Sequence, residues 1–423
     1  MTAASKTLSE KILSAKSRTD ARAGDIVVCR VDLVIGTDAS SPMAIDYFER
    51  MGGCRLFDGS KVMFAFDHYS PPPNPKPAAF HDRVRAFASR HGAALHDVGN
   101  GISFQIAAEL GRARPGDLVV GADSHTVTLG ALGAFATGVG SSDLAAAMIS
   151  GRVWLRVPET IRVTLGAGRP WWLAAKDVAL DIVAALGADG ANYRSLEFHG
   201  AGVGEWSLEE RFVISNLAVE AGAKAALWSA DLATQGYLAG RGTGVVAVFA
   251  GDDDATYSRE LAIDVSALTP RVAIPHSPND VVLVERVAGT RVDMVFLGTC
   301  TGGRVVDFHE ALNVIERAGG KLAPHSQLVV TPASREVYLR LIEDGTLRKF
   351  VAMGAVVTTP GCGACCGTSG AIPSDGMNVL STANRNFKAR MGNATASIYL
   401  ASPAACAAAA VAGHIVDPRE VTR

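Results

Sequence analysis

The chain has 423 residues, more than one compact core usually holds, and this length predicts two or three domains. Its 40 Lys and Arg residues nearly balance its 42 Asp and Glu residues, and a net charge of −2 argues against a nucleic-acid or anionic-membrane partner. No apolar run approaches the roughly 20 residues that cross a bilayer. The first residues also lack the apolar core of a secretory signal. Seven cysteines, an odd number, fit a reducing cytoplasm better than a disulfide framework.

The first third of the chain alternates short apolar strands with helical patterns. An amphipathic helix is predicted near residues 9–13, strands are predicted over 61–66 and 117–120, and a helix over 81–91 lies between them. Continuous apolar strands separated by helices predict a buried, mostly parallel sheet. The proline-rich segment 71–75 predicts a rigid loop just past a strand end, which is where open α/β sheets bind ligands.

Two further α/β units are predicted downstream. A strand over 160–165 precedes a Gly- and Pro-rich turn and a long apolar helix, and three prolines between residues 270 and 278 predict a linker. The last unit has predicted strands over 294–297, 328–330 and 355–357, and it ends in an alanine-rich helix after Pro403. We therefore predict an α/β protein with domains 1–165, 166–285 and 286–423, the last carrying three cysteines of interest.

These cysteines lie in glycine-rich loops directly after predicted strands. Cys300 follows the strand 294–297, and Cys362 and Cys365 follow the strand 355–357. Because ligands bind at the carboxyl ends of strands in a doubly wound sheet, the three thiols are expected to converge. Three thiols are one fewer than the four of an electron-transfer cluster or a closed zinc site. A cubane with three protein ligands leaves one iron open as a Lewis acid.

Other interpretations of the cysteines stay open at this point. A Cys-x-x-Cys pair alone also occurs in redox sites, in structural zinc sites and by chance. Cys366 is a poorer ligand candidate, because neighbouring residues on a loop rarely point to the same spot. Cys29, Cys54 and Cys406 lie in apolar or alanine-rich segments and are predicted to be small buried residues.

Four motifs occur in order along the chain: Gly121–Thr126 (GADSHT), Gly298–Thr301 (GTCT), Pro360–Cys365 (PGCGAC) and Asn384–Arg390 (NRNFKAR). With them the chain resembles the aconitase superfamily over nearly its whole length, nearest to the large-subunit family of the 3-isopropylmalate dehydratases. The resemblance implies three aconitase-type α/β domains around a central [4Fe–4S] cluster, held by Cys300, Cys362 and Cys365. The superfamily's swivelling domain is missing from the sequence, so a small partner subunit carrying it is expected, with a di- or tricarboxylic acid as substrate.

Dehydration of a hydroxy acid requires a Lewis acid and side chains that manage protons on the departing oxygen. By resemblance, the second task belongs to six residues: Asp67, His68, Asp123, Ser124, His125 and Glu220. Taken alone, Asp67 and His68 would be interpreted as a strand-end cap and a loop histidine. Asp123 would be the N-cap of the following helix, a role compatible with catalysis. The resemblance favours the catalytic interpretation of all six.

A dicarboxylate substrate needs cations, and Arg385 and Arg390 could grip a carboxylate through their guanidinium groups. In isolation they would be a solvated surface pair. The resemblance places Asn384 beside the cluster. Asn216 and Glu220 are four residues apart, which predicts that both lie on one face of a helix. By resemblance they also lie near the cluster, although an exposed helix face is the alternative.

Two residues depart from the family pattern. Phe104 replaces a histidine that is expected to pair with Asp123, and Gly302 replaces an asparagine beside the cluster ligand Cys300. The leading hypothesis is a hydro-lyase that isomerises 3-isopropylmalate and 2-isopropylmalate. The two departures raise the alternative of an alkylmaleate hydratase or another specialised aconitase-like enzyme. An iron-sensing RNA-binding regulator and a structural zinc protein are the alternatives of a different class.

Overall fold

Helices and mostly parallel sheets make up the structure, a computed structural model that describes residues 5–242 and 249–421. Three of its sheets contain four, five and seven strands, and a fourth is a two-stranded antiparallel ribbon. All strand pairs of the four- and five-stranded sheets are parallel. The predicted α/β class is confirmed. Below, the sheets define a first unit (5–157), a second unit (160–263) and a third unit (271–421).

The first unit contains the five-stranded sheet and the ribbon. Its elements are α1 (Leu8–Ser17), β1 (Ile26–Arg30), β2 (Leu33–Thr37), α2 (Ser41–Arg50), β3 (Val62–Ala65), α3 (Pro75–His91), β4 (Ala94–His96), α4 (Ser103–Glu109), β5 (Leu118–Gly121), β6 (Phe135–Gly138), α5 (Ser141–Ser150) and β7 (Arg152–Arg156). The strand order β4-β3-β2-β5-β6 reverses between β2 and β5. Such a reversal opens a crevice at the carboxyl ends of the strands, where ligands bind.

Local sequence accounts for the helix starts in this unit. At α1, the Thr7 hydroxyl accepts from the Glu10 backbone N–H, and the Glu10 carboxylate accepts from the Thr7 N–H, which is a capping box. At α3, the Asn74 side chain caps the helix and Pro75 takes its first position, where a missing N–H costs nothing. The helix therefore begins within the segment 71–75 that was predicted to be loop throughout.

The second unit is a four-stranded parallel sheet with three helices. Its elements are β8 (Thr160–Leu165), α6 (Ala175–Leu186), β9 (Ser195–His199), α7 (Leu208–Leu217), β10 (Ala225–Trp228), α8 (Leu232–Ala239) and β11 (Arg259–Ile263). Helix α7 packs against a 3-10 helix of the first unit, Ser124–Leu132. This contact brings the end of α7 to the crevice of the first unit.

The third unit contains the seven-stranded sheet, in the order β13-β12-β18-β17-β14-β15-β16. Its elements are β12 (Arg271–Ala273), β13 (Val281–Leu283), β14 (Met294–Gly298), α9 (Val305–Arg317), β15 (Gln327–Thr331), α10 (Arg335–Glu343), α11 (Thr346–Ala352), β16 (Val356–Val357), β17 (Asn378–Ser381), β18 (Ser397–Ala401), α12 (Pro403–Ala412) and α13 (Pro418–Val421). The strand order reverses between β14 and β17, so this unit also has a crevice at its strand ends.

Some local predictions were wrong. The segment predicted to be a linker near residues 270–280 is instead the turn between β12 and β13, and β12 pairs with β18. Cys54 is exposed rather than buried, whereas Cys29 and Cys406 are buried as predicted. The domain boundaries after residues 165 and 285 stay predictions, and sheet membership favours boundaries just before β8 and β12.

Among the described residues, no helix is long and apolar enough to cross a membrane. The cytoplasmic location predicted from the cysteine content stays a prediction.

Candidate active site

The crevices of the first and third units meet in one cavity of about 190 Å³. Its lining consists of His68, Ile102, Phe104, Asp123, Ser124, His125, Thr299, Cys300, Cys362, Cys365, Asn384, Arg385 and Arg390. Ten of the predicted site residues are in this lining. The other three, Asp67, Asn216 and Glu220, lie directly behind it in contact with lining residues. The thirteen predicted site residues therefore lie in the cavity lining or directly behind it.

Cys300 lies in a tight turn, Thr299–Thr301, directly after β14. Thr299 has a left-handed backbone with a φ of 69°, a conformation that is costly for a β-branched residue. The Cys300 carbonyl accepts a hydrogen bond of 2.7 Å from the buried side chain of Arg304. The Nδ2 of Asn384 lies 3.2 Å from the Cys300 sulfur. Arg304 thus fixes the backbone of Cys300, and Asn384 fixes its side chain.

Cys362 and Cys365 lie in the loop after β16. The Cys362 N–H donates to the Asp67 carbonyl at 2.8 Å, which joins this loop to the first unit. The Cys365 sulfur lies 3.5 Å from Nη2 of Arg390 and 3.6 Å from Oδ1 of Asn384. The Arg390 guanidinium can donate to this sulfur, whereas Oδ1 of Asn384 can only accept from the thiol S–H.

Burial opposes the ionisation of the other two thiols. It raises the pKa of Cys300 to about 12, and it raises the pKa of Cys362 well above its usual range. A buried thiol becomes a thiolate when a metal coordinates it. Cys362 also belongs to a cluster of possible metal ligands with Asp67 and His68, whose donor atoms all lie within 4.8 Å of one another. The cavity therefore contains a cysteine-containing candidate metal site.

Asp67 and His68 follow β3 and form a close pair. Nδ1 of His68 lies 2.6 Å from Oδ1 of Asp67, and the second Asp67 oxygen accepts from the Ser103 N–H at 2.9 Å. Nε2 of His68 lies 3.6 Å from Asp123 across the cavity. Burial alone would lower the pKa of His68, but Asp67 and Asp38 raise it well above its usual range. The ring is thus held between carboxylates.

Asp123, Ser124 and His125 begin the 3-10 helix after β5. The Asp123 side chain caps this helix by accepting from the His125 N–H at 2.8 Å. Asp123 therefore serves as an N-cap and lines the cavity at the same time. Ser124 Oγ lies 3.4 Å from Nδ1 of His125, and Nε2 of His125 lies 2.9 Å from Oε1 of Glu220. The Glu220 carboxylate can only accept, so it orients the His125 ring through the N–H at Nε2.

Glu220 and Asn216 do not share one helix, contrary to the prediction. Asn216 is in the last turn of α7, whereas Glu220 lies in the following 3-10 turn. Both nevertheless face the same region, because Oδ1 of Asn216 accepts from Asn384 at 3.3 Å and Oε1 of Glu220 accepts from Nε of Arg385 at 2.8 Å. Burial would raise the pKa of Glu220, but His125 and Arg385 hold it below its usual range.

Of the two departures from the family pattern, Phe104 lines the cavity, whereas Gly302 follows the lining residue Cys300 by two positions. Phe104 is 2% exposed and, with Ile102, forms an apolar part of the lining. A Cβ added at Gly302 would lie 2.2 Å from Cβ of Thr382, so the asparagine expected there would overlap Thr382. Gly302 and Thr382 are therefore a matched pair, and the turn packs more closely than an asparagine would permit.

Sequence reasoning missed several buried polar residues behind the cavity. Asp38, directly after β2, accepts from the backbone N–H groups of His68 and Tyr69 at 3.0 and 2.8 Å and lies 3.1 Å from Nε2 of His81. His81 itself stacks on Phe66 with 4.0 Å between ring centroids. An acidic residue at the end of a strand was the one available signal for Asp38, and His81 had none beyond its helical position.

Comparisons with known proteins agree with these features. The profile of the aconitase family (aconitate hydratase) matches residues 10–413. The 3-isopropylmalate dehydratase large subunit 2 of Archaeoglobus fulgidus is 45% identical, over 98% of this chain and 99% of the relative. Large subunit 1 of the same enzyme from Thermotoga maritima is also 45% identical, and that from Methanopyrus kandleri is 44% identical, each over 98% of this chain and 99% of the relative. The chain therefore belongs to the aconitase family and is a hydro-lyase.

Proposed function

We propose that this hydro-lyase interconverts 3-isopropylmalate and 2-isopropylmalate, as the large subunit of a two-subunit enzyme with a [4Fe–4S] cluster. The names of the relatives support this substrate and a place in leucine biosynthesis. The observation that carries the proposal is the presence of three thiols, two histidine–carboxylate pairs and two arginines around one cavity. This set matches a reaction that expels hydroxide from a dicarboxylate.

The donor set suits a cluster better than a single zinc ion. Zinc–sulfur bonds of about 2.3 Å in a tetrahedron would hold thiolate sulfurs roughly 3.8 Å apart. Among the described residues, Cys300, Cys362 and Cys365 do not form a group whose sulfurs all lie within 4.8 Å. Cysteine thiolates are the usual ligands of a cubane, and three of them leave one iron without a protein ligand. When bound, such a cluster would supply a Lewis acid for the substrate hydroxyl and carboxylate.

We assign His68 to the departing oxygen. Asp67 holds Nδ1, so Nε2 is the nitrogen beside Asp123 and the cavity. A charged imidazole fixed in this way can donate a proton to the leaving hydroxide and take it back on rehydration. Asp123 stabilises that proton. We assign His125, oriented by Glu220, and its neighbour Ser124 to hydrogen bonding with the hydroxyl or the released water.

We assign Arg385 and Arg390 to the substrate carboxylates. Glu220 accepts from Nε of Arg385, which fixes the direction of that guanidinium. The buried Nε of Arg390 has no hydrogen-bond partner among the described residues, and a buried guanidinium nitrogen without an acceptor suits an anionic ligand. Asn384, held by Asn216, would position the cluster through its contacts with Cys300 and Cys365.

We infer a small partner subunit, because the relatives are named large subunits. In the aconitase superfamily a swivelling domain supplies a serine base and an arginine for a substrate carboxylate. We propose that the small subunit supplies both groups here. This chain would then contribute the cluster, the proton handling on oxygen and part of the carboxylate binding.

The test is anaerobic reconstitution of the chain with iron, sulfide and its cognate small subunit. Supporting results are uptake of iron and sulfide and formation of the unsaturated acid from 3-isopropylmalate, measured by its absorbance. Zinc without iron in the active protein would overturn the cluster assignment. If no malate derivative changes the absorbance, the enzymatic proposal fails.

Hydration of an alkylmaleate is the second candidate, and the apolar lining at Phe104 favours it. This side chain cannot exchange a proton with Asp123 as the expected histidine would. The same assay distinguishes the two candidates, because turnover of an alkylmaleate without turnover of 3-isopropylmalate would select the second.

A further inference from the structure

Lys176 is a buried lysine that the proposed mechanism does not use. It lies in the first turn of α6, and only 1% of it is exposed. This place is unfavourable for an ammonium group on two grounds. Burial removes its hydration, and the amino end of a helix carries a partial positive charge. A cation retained there needs a specific electrostatic reason.

Lys176 contacts residues that neighbour the proposed cluster ligand Cys300. Its Nζ donates to Oγ1 of Thr301 at 3.3 Å, to the Thr382 carbonyl at 3.0 Å and to the Ala383 carbonyl at 2.5 Å. Thr301 follows Cys300 directly in the chain. Ala383 directly precedes the asparagine that contacts the Cys300 sulfur. One ammonium group therefore joins the two loops that surround Cys300.

All three acceptors are neutral, and no described carboxylate forms an ion pair with Lys176. The adjacent Asp177 accepts from the N–H groups of Ala174 and Arg271, so its carboxylate is used elsewhere. Burial, the largest influence, lowers the pKa of Lys176 to about 8, and the nearby Cys300 is the strongest influence in the opposite direction. Cys406, Cys365 and Asp307 act in the same direction as Cys300, so the thiol site contributes two of these four groups, including the strongest.

A [4Fe–4S]²⁺ core bound by three thiolates carries a net negative charge, which increases on reduction. Cluster potentials respond to net charge and to hydrogen bonds around the ligands. An adjacent buried cation acts in a medium of low dielectric constant, where its effect is large.

We propose that Lys176 is the buried counter-charge of the cluster and a positioning residue that joins the Cys300 turn to the Thr382–Asn384 loop. The inference rests on the cluster of the proposed function. The proposal predicts that removing the Lys176 charge changes the stability of the chain in opposite directions with and without the cluster. Without the cluster the cation is uncompensated, so its removal relieves a desolvation cost that offsets the loss of its three hydrogen bonds, and we expect a neutral or stabilising net effect. With the cluster its removal destabilises the protein and disfavours the reduced state.

The experiment replaces Lys176 by Met, which has similar length and no charge, in the full chain reconstituted anaerobically with iron and sulfide. The midpoint potential is measured by a redox titration followed by EPR, and Tm is measured with and without the cluster. Lys224→Met is the matched control, because Lys224 is half-buried and donates to the Gly138 carbonyl at 3.0 Å. We expect Lys176→Met to lower the reduction equilibrium constant at least tenfold, a shift of about 59 mV for one electron.

We further expect the Tm of the Lys176→Met chain to be unchanged or higher without the cluster and lower with it. Lys224→Met should leave the potential at the wild-type value. An unchanged potential in Lys176→Met overturns the proposal, and so does an equal loss of Tm in both forms, which would identify a purely structural role.

If Lys176→Met does not fold, Lys176→Gln replaces it, because the amide can still donate to the carbonyls. The proposal predicts that the cluster-free chain folds without the Lys176 charge. It is overturned if neither neutral variant folds in the absence of the cluster. If the wild-type chain takes up no cluster, the proposed function fails. In another outcome, the wild-type protein binds the cluster and turns over substrate with its small subunit while the Lys176 variants keep the wild-type potential. That result would overturn this inference and leave the proposed function intact.

Discussion

The two sides of the cavity are held in different ways. In the proposed acid–base wall (Asp67, His68, Asp123, Ser124 and His125), contacts of 2.6 to 2.9 Å within the protein fix every member except Ser124, which lies 3.4 Å from His125. The thiol wall (Cys300, Cys362 and Cys365) has side-chain contacts of 3.2 to 3.6 Å from two of its sulfurs to amide or guanidinium groups. Hydrogen bonds to sulfur are longer than those between nitrogen and oxygen, so the difference lies in the partners: the first wall pairs histidines with carboxylates, whereas two of the thiols contact amide and guanidinium groups.

The two walls avoid the free-energy cost of burying unpaired charges in different ways. Pairing of buried histidines and carboxylates compensates their desolvation within the chain. Buried thiols tolerate a cluster-free state because they remain neutral, as the raised pKa of Cys300 indicates. Substitutions in the thiol wall should therefore abolish the bound group, while those in the acid–base wall should leave it bound and slow the reaction.

The largest effect is expected for Cys300→Ser. Loss of one of three thiolates should prevent stable cluster binding and lower kcat by roughly a thousandfold or more, because the Lewis acid is lost. Iron content, visible absorbance and turnover measure this. Cys366→Ser is the matched control, since the Cys366 sulfur contacts Thr368 Oγ1 at 2.8 Å. A Cys300→Ser protein with full iron content would contradict the assignment of the thiol wall.

Glu220→Gln should have the next largest effect. The amide cannot balance His125 and Arg385 together, so we expect kcat to fall by roughly a hundredfold, within the range for lost acid–base function. The iron content should stay at the wild-type level. Steady-state kinetics and iron analysis, with the exposed Glu260→Gln as the control, measure both expectations. Loss of the cluster in this variant would remove the distinction between the two walls.

Arg385→Lys and Arg390→Lys should act mainly on substrate binding. A lysine keeps the charge and loses the planar fork, so KM for the dicarboxylate should rise roughly tenfold, the equivalent of one charge-assisted hydrogen bond. The exposed Arg348→Lys is the control. An unchanged KM in both variants would show that the carboxylates bind elsewhere, for instance to the partner subunit.

The smallest effect is expected for a substitution of Glu109. This residue is linked to the Cys300 turn through Gln105 and Arg304. Its carboxylate accepts from Gln105 at 2.8 Å, and Gln105 accepts from Arg304, which holds the Cys300 carbonyl. Burial raises the pKa of Glu109 from 4.5 to about 7. Between these values the folded chain retains a proton that the unfolded chain has released, so stability falls as the pH rises.

Glu109→Gln should abolish this pH-dependent decrease in the free energy of unfolding, which is on the order of 1 kcal/mol for a partly accessible group. Denaturant unfolding of both proteins at pH 5 and at pH 8 measures the difference, and turnover should change little. A parallel pH dependence of the two proteins would show that Glu109 titrates normally in the folded chain.

Much of the site follows from local sequence. Strands followed by glycine-rich turns placed the cysteines at the carboxyl ends of β14 and β16, and the family resemblance placed Asp67, Asp123 and Arg385 near them. These predictions succeed because a parallel sheet brings all its strand ends to one edge. The α/β class followed from the same alternation of apolar strands and helices.

The sequence by itself therefore determined the fold class, the family and the set of candidate site residues. Only the tertiary structure decided which of them pair, because partners such as Glu220 and His125 lie 95 residues apart. It also broke the expected helix between Asn216 and Glu220, joined β12 to β18, and buried Lys176 behind the Cys300 turn. Burial and long-range hydrogen bonding depend on packing between units, and no local spacing encodes them.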